Sequence, residues 1–387
     1  MFVVLSKFRK IKILYFIAGI LFIIAGFAAY LAWFQPDLYF PKPTGQYAVG
    51  LRSYHWVDEN RKELNTKDPS HPNREIMAYV FFPVEKDPRV KSMAYDSDAA
   101  KSAIEFLSNS SKLPKLFFSS LKSIKTYAQA NAPLAQSKDK FPVIIFSHGG
   151  GLMIQQYTWV LEELASHGFV VVAINHPYSA AIVRYPDGRV VESIYYKMSK
   201  QDAKWKPNQV ETNAQDVSFV INKIEELSSQ KDAFWSKVNL DEIGVLGHSF
   251  GGRTAVRATR KDKRVKCGIN LDGGVQEDDA DNPSSTPFMF MIAEKGVLCK
   301  KDLPGLEVIS RLANTPGTNM KIVTIKEIGH IVFSDTPLLL NAMLFTRLLS
   351  HYINFGLELP ADKASDILVN TVTPCIINFF EKHLKDK

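Results

Sequence analysis

The stretch "IGVLGHSFGGRTAV", residues 243–256, runs from an apolar, strand-like segment through Gly-His-Ser-Phe-Gly-Gly into residues with helical character. Gly247-His248-Ser249-Phe250-Gly251 fits G-x-S-x-G, and a strand before it with a helix after it is the context that motif requires. A tight strand-to-helix turn strains the serine backbone and crowds neighbouring chains, so the flanking positions must lack side chains. The pattern predicts a sharp elbow that lifts the Ser249 hydroxyl above the carboxyl edge of a sheet. A helix beginning near Phe250 adds its positive end beside any developing oxyanion.

Working outward, the order of elements supports that placement. "QYAVGLRSYHWVD" and "REIMAYVFFPV" read as two neighbouring strands. Beyond a mixed segment, "FPVIIFSHGGG" reads as a strand and glycine-rich turn, "MIQQYTWVLEELASHG" as a helix and "FVVVAINHP" as a strand. "QVETNAQDVSFVINKIEELSS" is a long helix, and "VKCGINLD", "FMFMIAE" and "MKIVTIKEI" are strands. A helix near "ILVNTVTPCIINFFEKHL" closes the chain. This alternation predicts an α/β fold, a mostly parallel central sheet flanked by helices. Ligands bind such sheets at the carboxyl ends of the strands, so the residues following each strand are the ones to weigh.

A serine hydroxyl needs a base to take its proton. His330 follows the last strand, where a turn returns it over Ser249, in the Ser, acid, His order of α/β-hydrolases. His351 and His383 fall in helix-like segments and read as surface or packed histidines, and His248 points away from its neighbour Ser249. Two acids compete to orient the imidazole: Asp272 ends "CGINLD", and Glu294 ends "FMFMIAE" one strand later. Spacing leaves them even. An oxyanion hole needs backbone N–H donors; the N–H of Phe250 is one candidate. Gly150, within the HGGG-type turn of residues 148–151, is the other.

Composition excludes several classes. The 387 residues are 46% apolar and 22% charged, as in ordinary globular proteins. The net charge of +7 is concentrated partly at the termini, and no zinc-finger spacing, RNA-binding signature or basic helix accompanies it, so no nucleic-acid partner is expected. Cys267, Cys299 and Cys375 are odd in number and far apart, which suits buried free thiols rather than a disulfide framework or metal site. No metal or organic cofactor is required by the chemistry proposed, and no obligate protein partner is indicated.

Near the start, "ILYFIAGILFIIAGFAAYLAWF", residues 13–34, carries no charge and is long enough to span a bilayer as a helix. Lys7, Arg9, Lys10 and Lys12 precede it and Asp37 follows, which predicts a single-pass anchor with the rest of the chain on the extracytoplasmic side. A cleaved signal is the alternative. The division is residues 1–35 as basic segment and transmembrane anchor, and 36–387 as the catalytic domain. Within it, 85–140 reads as an insertion, a lid or membrane-contact segment. In that insertion "KLPKLFFSSLKSIK", residues 112–125, mixes lysines with apolar residues, suiting either an anionic membrane surface or a covering helix whose apolar face is core.

Several segments together resemble the platelet-activating factor acetylhydrolase family, the plasma and intracellular type II kind. "TGQYAVG" is similar to its first strand, "ANAPLA" and "FPVIIFSHG" to its approach to the oxyanion turn, and "LASHGFVVVAINHP" to its next helix and strand. "GHSFGG" is similar to its nucleophile motif, "CGINLDG" to its aspartate segment, "GHIVFSD" to its histidine segment and "FFEKHL" to its closing helix. The resemblance implies an α/β-hydrolase that removes a short or oxidised acyl chain from phospholipids through Ser249, Asp272 and His330, and it favours Asp272 over Glu294. Gly273 and Gly274 stand where that family commonly has an aromatic-rich run, which bears on acyl-pocket shape. Two other readings stay open: a general carboxylesterase, lipase or polyester hydrolase of dienelactone-hydrolase-like type, and a non-catalytic binding protein on the same scaffold.

Overall fold

The computed structural model describes residues 38–386 apart from positions 67, 88–92, 94, 131, 203, 282, 300–304 and 343, together with positions 15, 18, 19, 22 and 26. The expected membrane-spanning segment, residues 13–34, thus lies almost wholly outside the described residues. Among the described residues no helix is long and apolar enough to cross a membrane.

Among the described residues nine strands form the central sheet. They are β1 (Ala48–Lys62), β2 (Asn73–Val84), β3 (Ala128–Ala130), β4 (Phe141–Ser147), β5 (Val170–Asn175), β6 (Val238–His248), β7 (Val265–Leu271), β8 (Phe288–Ala293) and β9 (Met320–Ile325). Their spatial order is β9-β8-β7-β6-β4-β5-β2-β1-β3. β2 pairs antiparallel with β1 and with β5, and the other neighbours are parallel. Parallel strands covered on both faces read as unbroken apolar runs, which is why every residue of β4, β5 and β8 is buried.

Helices α1 (Ser97–Ser111), α2 (Thr158–Ser166), α3 (Tyr195–Gln201), α4 (Trp205–Ser229), α5 (Phe250–Lys261) and α6 (Thr373–Leu384) matter most to the site. One core joins α1, α2 and α6 to one face of the sheet through residues such as Ile104, Leu161 and Phe380. A second joins α4 and α5 to the other face through Val217, Ile221 and Ala255. Helix α4 starts at Trp205, earlier than its apolar periodicity implies, because Pro207 falls in the first turn, where no intrahelical N–H is required. The closing helix is interrupted by a π-helical turn at Leu368–Val372 just before Pro374.

The segment 85–140 contributes α1, a 3₁₀ helix at Lys115–Ser123 and the edge strand β3. Phe118, Leu121 and Ile124 of its lysine-rich stretch are in the core, whereas Leu116 is exposed. Most of that apolar face is therefore spent on packing.

Register fixes the working edge of the sheet. Gly247 of β6 lies beside Ser147 of β4, and His248 beside Leu271 of β7. The turns that follow β4, β6 and β7 consequently emerge at one rim, carrying residues 148–151, Ser249 and Asp272.

Candidate active site

Ser249 occupies the elbow between β6 and α5 with φ 55° and ψ −112°, a strained backbone for a residue bearing a side chain. Its N–H donates to the carbonyl of Leu271 at 2.8 Å. The surrounding glycines are required by close approach: a Cβ on Gly247 would strike the Gly251 carbonyl, and one on Gly251 would strike the Ser147 carbonyl. The turn can close only where those side chains are missing.

Asp272, just past β7, also has positive φ, 51°. Asn270 holds this turn by accepting the Gly273 N–H at 2.7 Å and donating Nδ2–H to the Gly273 carbonyl at 2.9 Å. The carboxylate is fully buried and faces two donors. Ala293 N–H reaches Oδ1 at 3.0 Å, and His330 Nδ1–H reaches Oδ2 at 2.6 Å. The His330 side chain is a quarter exposed, so a buried carboxylate holds a partly accessible imidazole. Gly296 lies so close that an added Cβ would collide with Asp272 Oδ2.

Glu294 is elsewhere. It is exposed, its Oε2 accepts the Glu327 N–H at 2.8 Å, and among the described residues no hydrogen bond or ion pair joins it to His330. His351 is exposed near Asp362, and His383 lies against the Phe379 ring. Of the histidines weighed from sequence, the structure brings His330 alone to Asp272.

Behind the glycine-rich turn the N–H groups are largely committed. Gly149 donates to Tyr157 Oη at 3.1 Å and Gly151 to the Ser179 carbonyl at 2.8 Å. Among the described residues no partner meets the N–H of Gly150 or of Phe250, the two donors expected for an oxyanion. The Tyr195 ring closes over Gly150, where a Cβ would collide with it, and meets the Phe250 ring edge-on at 5.1 Å.

Two networks carry no sequence signal strong enough to predict them. In the first, Tyr157 accepts from Gly149 and donates to His248 Nδ1 at 2.7 Å, and His248 Nε2–H donates to the His330 carbonyl at 3.0 Å. Burial, then the neighbouring His330, keeps His248 well below the ordinary histidine range, so it is neutral and can both accept and donate. This relay ties the glycine turn to the backbone of His330. The second lies beneath the same turn. His176 accepts from Ser147 Oγ–H at 3.0 Å and donates Nδ1–H to Asp216 at 2.8 Å, while His148 Nε2 accepts the His176 N–H at 3.1 Å. All four side chains are buried. Burial opposes the charge on Asp216, but the guanidinium of Arg74 and the His176 hydrogen bond outweigh it and hold the carboxyl below its usual range. His148 is pushed down to about 3 by burial and by His176. The "NHP" after β5 was the available clue to His176; its partner Asp216 is 40 residues away on α4.

The chain is similar in sequence and fold to known proteins. A guinea pig (Cavia porcellus) protein named platelet-activating factor acetylhydrolase is 29% identical over 300 residues, 72% of this chain and 66% of that protein. A protein of Arthroderma benhamiae named probable 1-alkyl-2-acetylglycerophosphocholine esterase is 24% identical over 246 residues, 62% of this chain and 59% of that one. The match thus spans slightly under two thirds of the length of these relatives. Among solved structures, a ferulic acid esterase from Streptomyces cinnamoneus superposes with a TM-score of 0.67 at 24% identity, covering 91% of this chain and 94% of that one. That likeness identifies the fold as α/β-hydrolase-like. A sequence model described as platelet-activating factor acetylhydrolase, isoform II matches residues 32–387, and the chain belongs to that family.

Proposed function

We propose that this chain is a serine-dependent carboxylic ester hydrolase that removes a short or oxidised acyl chain from phospholipids. The observation that carries the reading is the 2.6 Å contact of His330 Nδ1 with buried Asp272, at the rim where Ser249 holds its strained elbow. The names of the curated relatives support the substrate class.

In this mechanism His330 Nε2 takes the Ser249 hydroxyl proton as Oγ attacks the ester carbonyl. The N–H groups of Phe250 and Gly150 receive the oxyanion. His330 returns the proton to the departing alcohol, leaving an acyl-serine. Water attacks that ester, giving its proton to His330, and collapse releases the carboxylic acid and restores Ser249. Asp272 stays ionised and fixes the tautomer in which Nε2 is the base. We further propose that residues 13–34 anchor the enzyme in a membrane, with residues 36–387 on the extracytoplasmic side.

The test is labelling with a fluorophosphonate probe alongside hydrolysis of 2-acetyl phospholipid, long-acyl phospholipid, triglyceride and 4-nitrophenyl esters. Ser249→Ala is expected to lose labelling and turnover of every ester. Labelling that survives would mean another nucleophile, and preference for soluble esters over 2-acetyl phospholipid would mean a general carboxylesterase.

A further inference from the structure

Helix α5 carries four cations, and three are matched. Arg257 pairs with Glu211, Asp278 and Asp279; Arg260 pairs with Asp278 and Asp279; Lys261 pairs with Glu211. Arg253, one turn beyond Ser249, is different. It is half-buried, and among the described residues its guanidinium has neither an ion-pair nor a hydrogen-bond partner, the backbone N–H alone being bonded, to the Ser249 carbonyl. Its guanidinium lies over Gly274, two residues past Asp272, where a Cβ would stand 2.8 Å from Nη2.

The neighbouring surface is built from rings and a second unmatched cation. Tyr195 covers Gly150 and touches Phe250, and Trp205 stacks parallel to Phe250 with centroids 6.4 Å apart. Lys206 Nζ stands 5.4 Å from the Tyr195 centroid and likewise lacks a carboxylate among the described residues. The Trp205 indole N–H is buried without a hydrogen-bond partner among the described residues. Burial lowers the pKa of both cations, and for Lys206 the charge of Arg253 adds to it. Two neighbouring cations withdrawn from water without counter-charges are costly, and an anion between them relieves both desolvation and repulsion. A planar guanidinium suits two oxygens of one phosphate or carboxylate.

We infer that Arg253 and Lys206 form a receptor for an anionic oxygen group, a phosphodiester or a carboxylate, on the ester that Ser249 attacks. The inference rests on the ester-hydrolase reading and narrows it to substrates that carry negative charge a few bonds from the scissile carbonyl.

The experiment uses the full chain in detergent and two matched pairs: 4-nitrophenyl hemiglutarate against 4-nitrophenyl butyrate, and dibutyroyl glycerophosphocholine against tributyrin. Arg253→Met is expected to lower the anionic-to-neutral ratio of kcat/KM about tenfold in at least one pair, mainly through KM, as loss of one charge-assisted hydrogen bond does. Lys206→Met lowers it less, and Arg253→Lys restores most of it. The pair that responds identifies the anion. Ratios unmoved in both pairs, in variants that still label with fluorophosphonate, would overturn the inference. Binding of glycerophosphocholine and glutarate to Ser249→Ala, by calorimetry, separates the two readings. Affinity that falls about tenfold on adding Arg253→Met, in a protein whose parent hydrolyses no ester, leaves the receptor standing and removes the hydrolase. Affinity that Arg253→Met leaves unchanged, with esters hydrolysed, does the reverse.

Discussion

At the scale of single residues, the reactive arrangement depends on atoms that are missing as much as on those present. Gly296 leaves room for the Asp272 carboxylate, so Gly296→Ala is expected to displace Oδ2 from His330 and lower kcat by about tenfold to a hundredfold, read by steady-state kinetics. Asp272→Asn should lose on the order of 10⁴ in kcat, because the amide favours the wrong imidazole tautomer, whereas Glu294→Gln should stay near wild type. The reverse order would return the role of acid to Glu294. Tyr157→Phe breaks the bridge from Gly149 to His248 while filling the same space, and should lower kcat with little change in KM. Ser249 was legible as a candidate from its glycines together with the strand before and the helix after them, and His330 from its place after the last strand. Asp272 was not separable from Glu294 by spacing, since both end strands at the same edge. The geometry that distinguishes them is the positive-φ turn clamped by Asn270, and nothing in the string "GINLD" declares it.

At the scale of elements, long-range polar ties decide where turns and edges sit. Asn270→Leu would leave both polar groups of Gly273 without their partners, a loss of about 1–3 kcal/mol for each group left buried, checked by chemical denaturation. Glu162 of α2 holds the edge strand β3 and the residue before it through the Tyr127 and Ala128 N–H groups, at 3.0 and 2.8 Å to one oxygen. Burial, against those two hydrogen bonds, pushes its carboxyl up to about 7. Between its ordinary value near 4.5 and about 7, the folded chain therefore holds a proton that the unfolded chain has released. Its contribution to stability is present at low pH and is lost as pH rises through that window. Melting temperature measured from pH 4.5 to 8 should carry this decline in the wild type and lose it in Glu162→Gln, where an amide oxygen still accepts both N–H groups. Strands β4, β5 and β8 were readable because each is a wholly buried apolar run bounded by turn residues, and β9 was readable from its alternation with helices although only Ile325 of it is buried. The three-residue strand β3 was not, because its pairing to β1 and its tie to Glu162 are supplied by other parts of the chain.

At the scale of the whole molecule, the three-layer architecture followed from the alternation of strands and helices, while its use of that architecture depends on register. The alignment of β4, β6 and β7 delivers a glycine turn, a serine and an aspartate to one rim. The proposed anchor makes a further prediction. The full chain should sediment with membranes and require detergent for release, and protease added to right-side-out vesicles should digest residues 36–387. A freely soluble full chain would overturn the anchor without touching the chemistry. The second Ser-His-Asp set, Ser147 with His176 and Asp216, has hydrogen-bond lengths much like those of a working triad and lies one strand from Ser249. All three of its side chains are buried, His176 and Asp216 fully. A covalent serine inhibitor should therefore titrate this protein at one equivalent, and a search that recognises enzymes by the spacing of three side chains would count two reactive serines where access permits one.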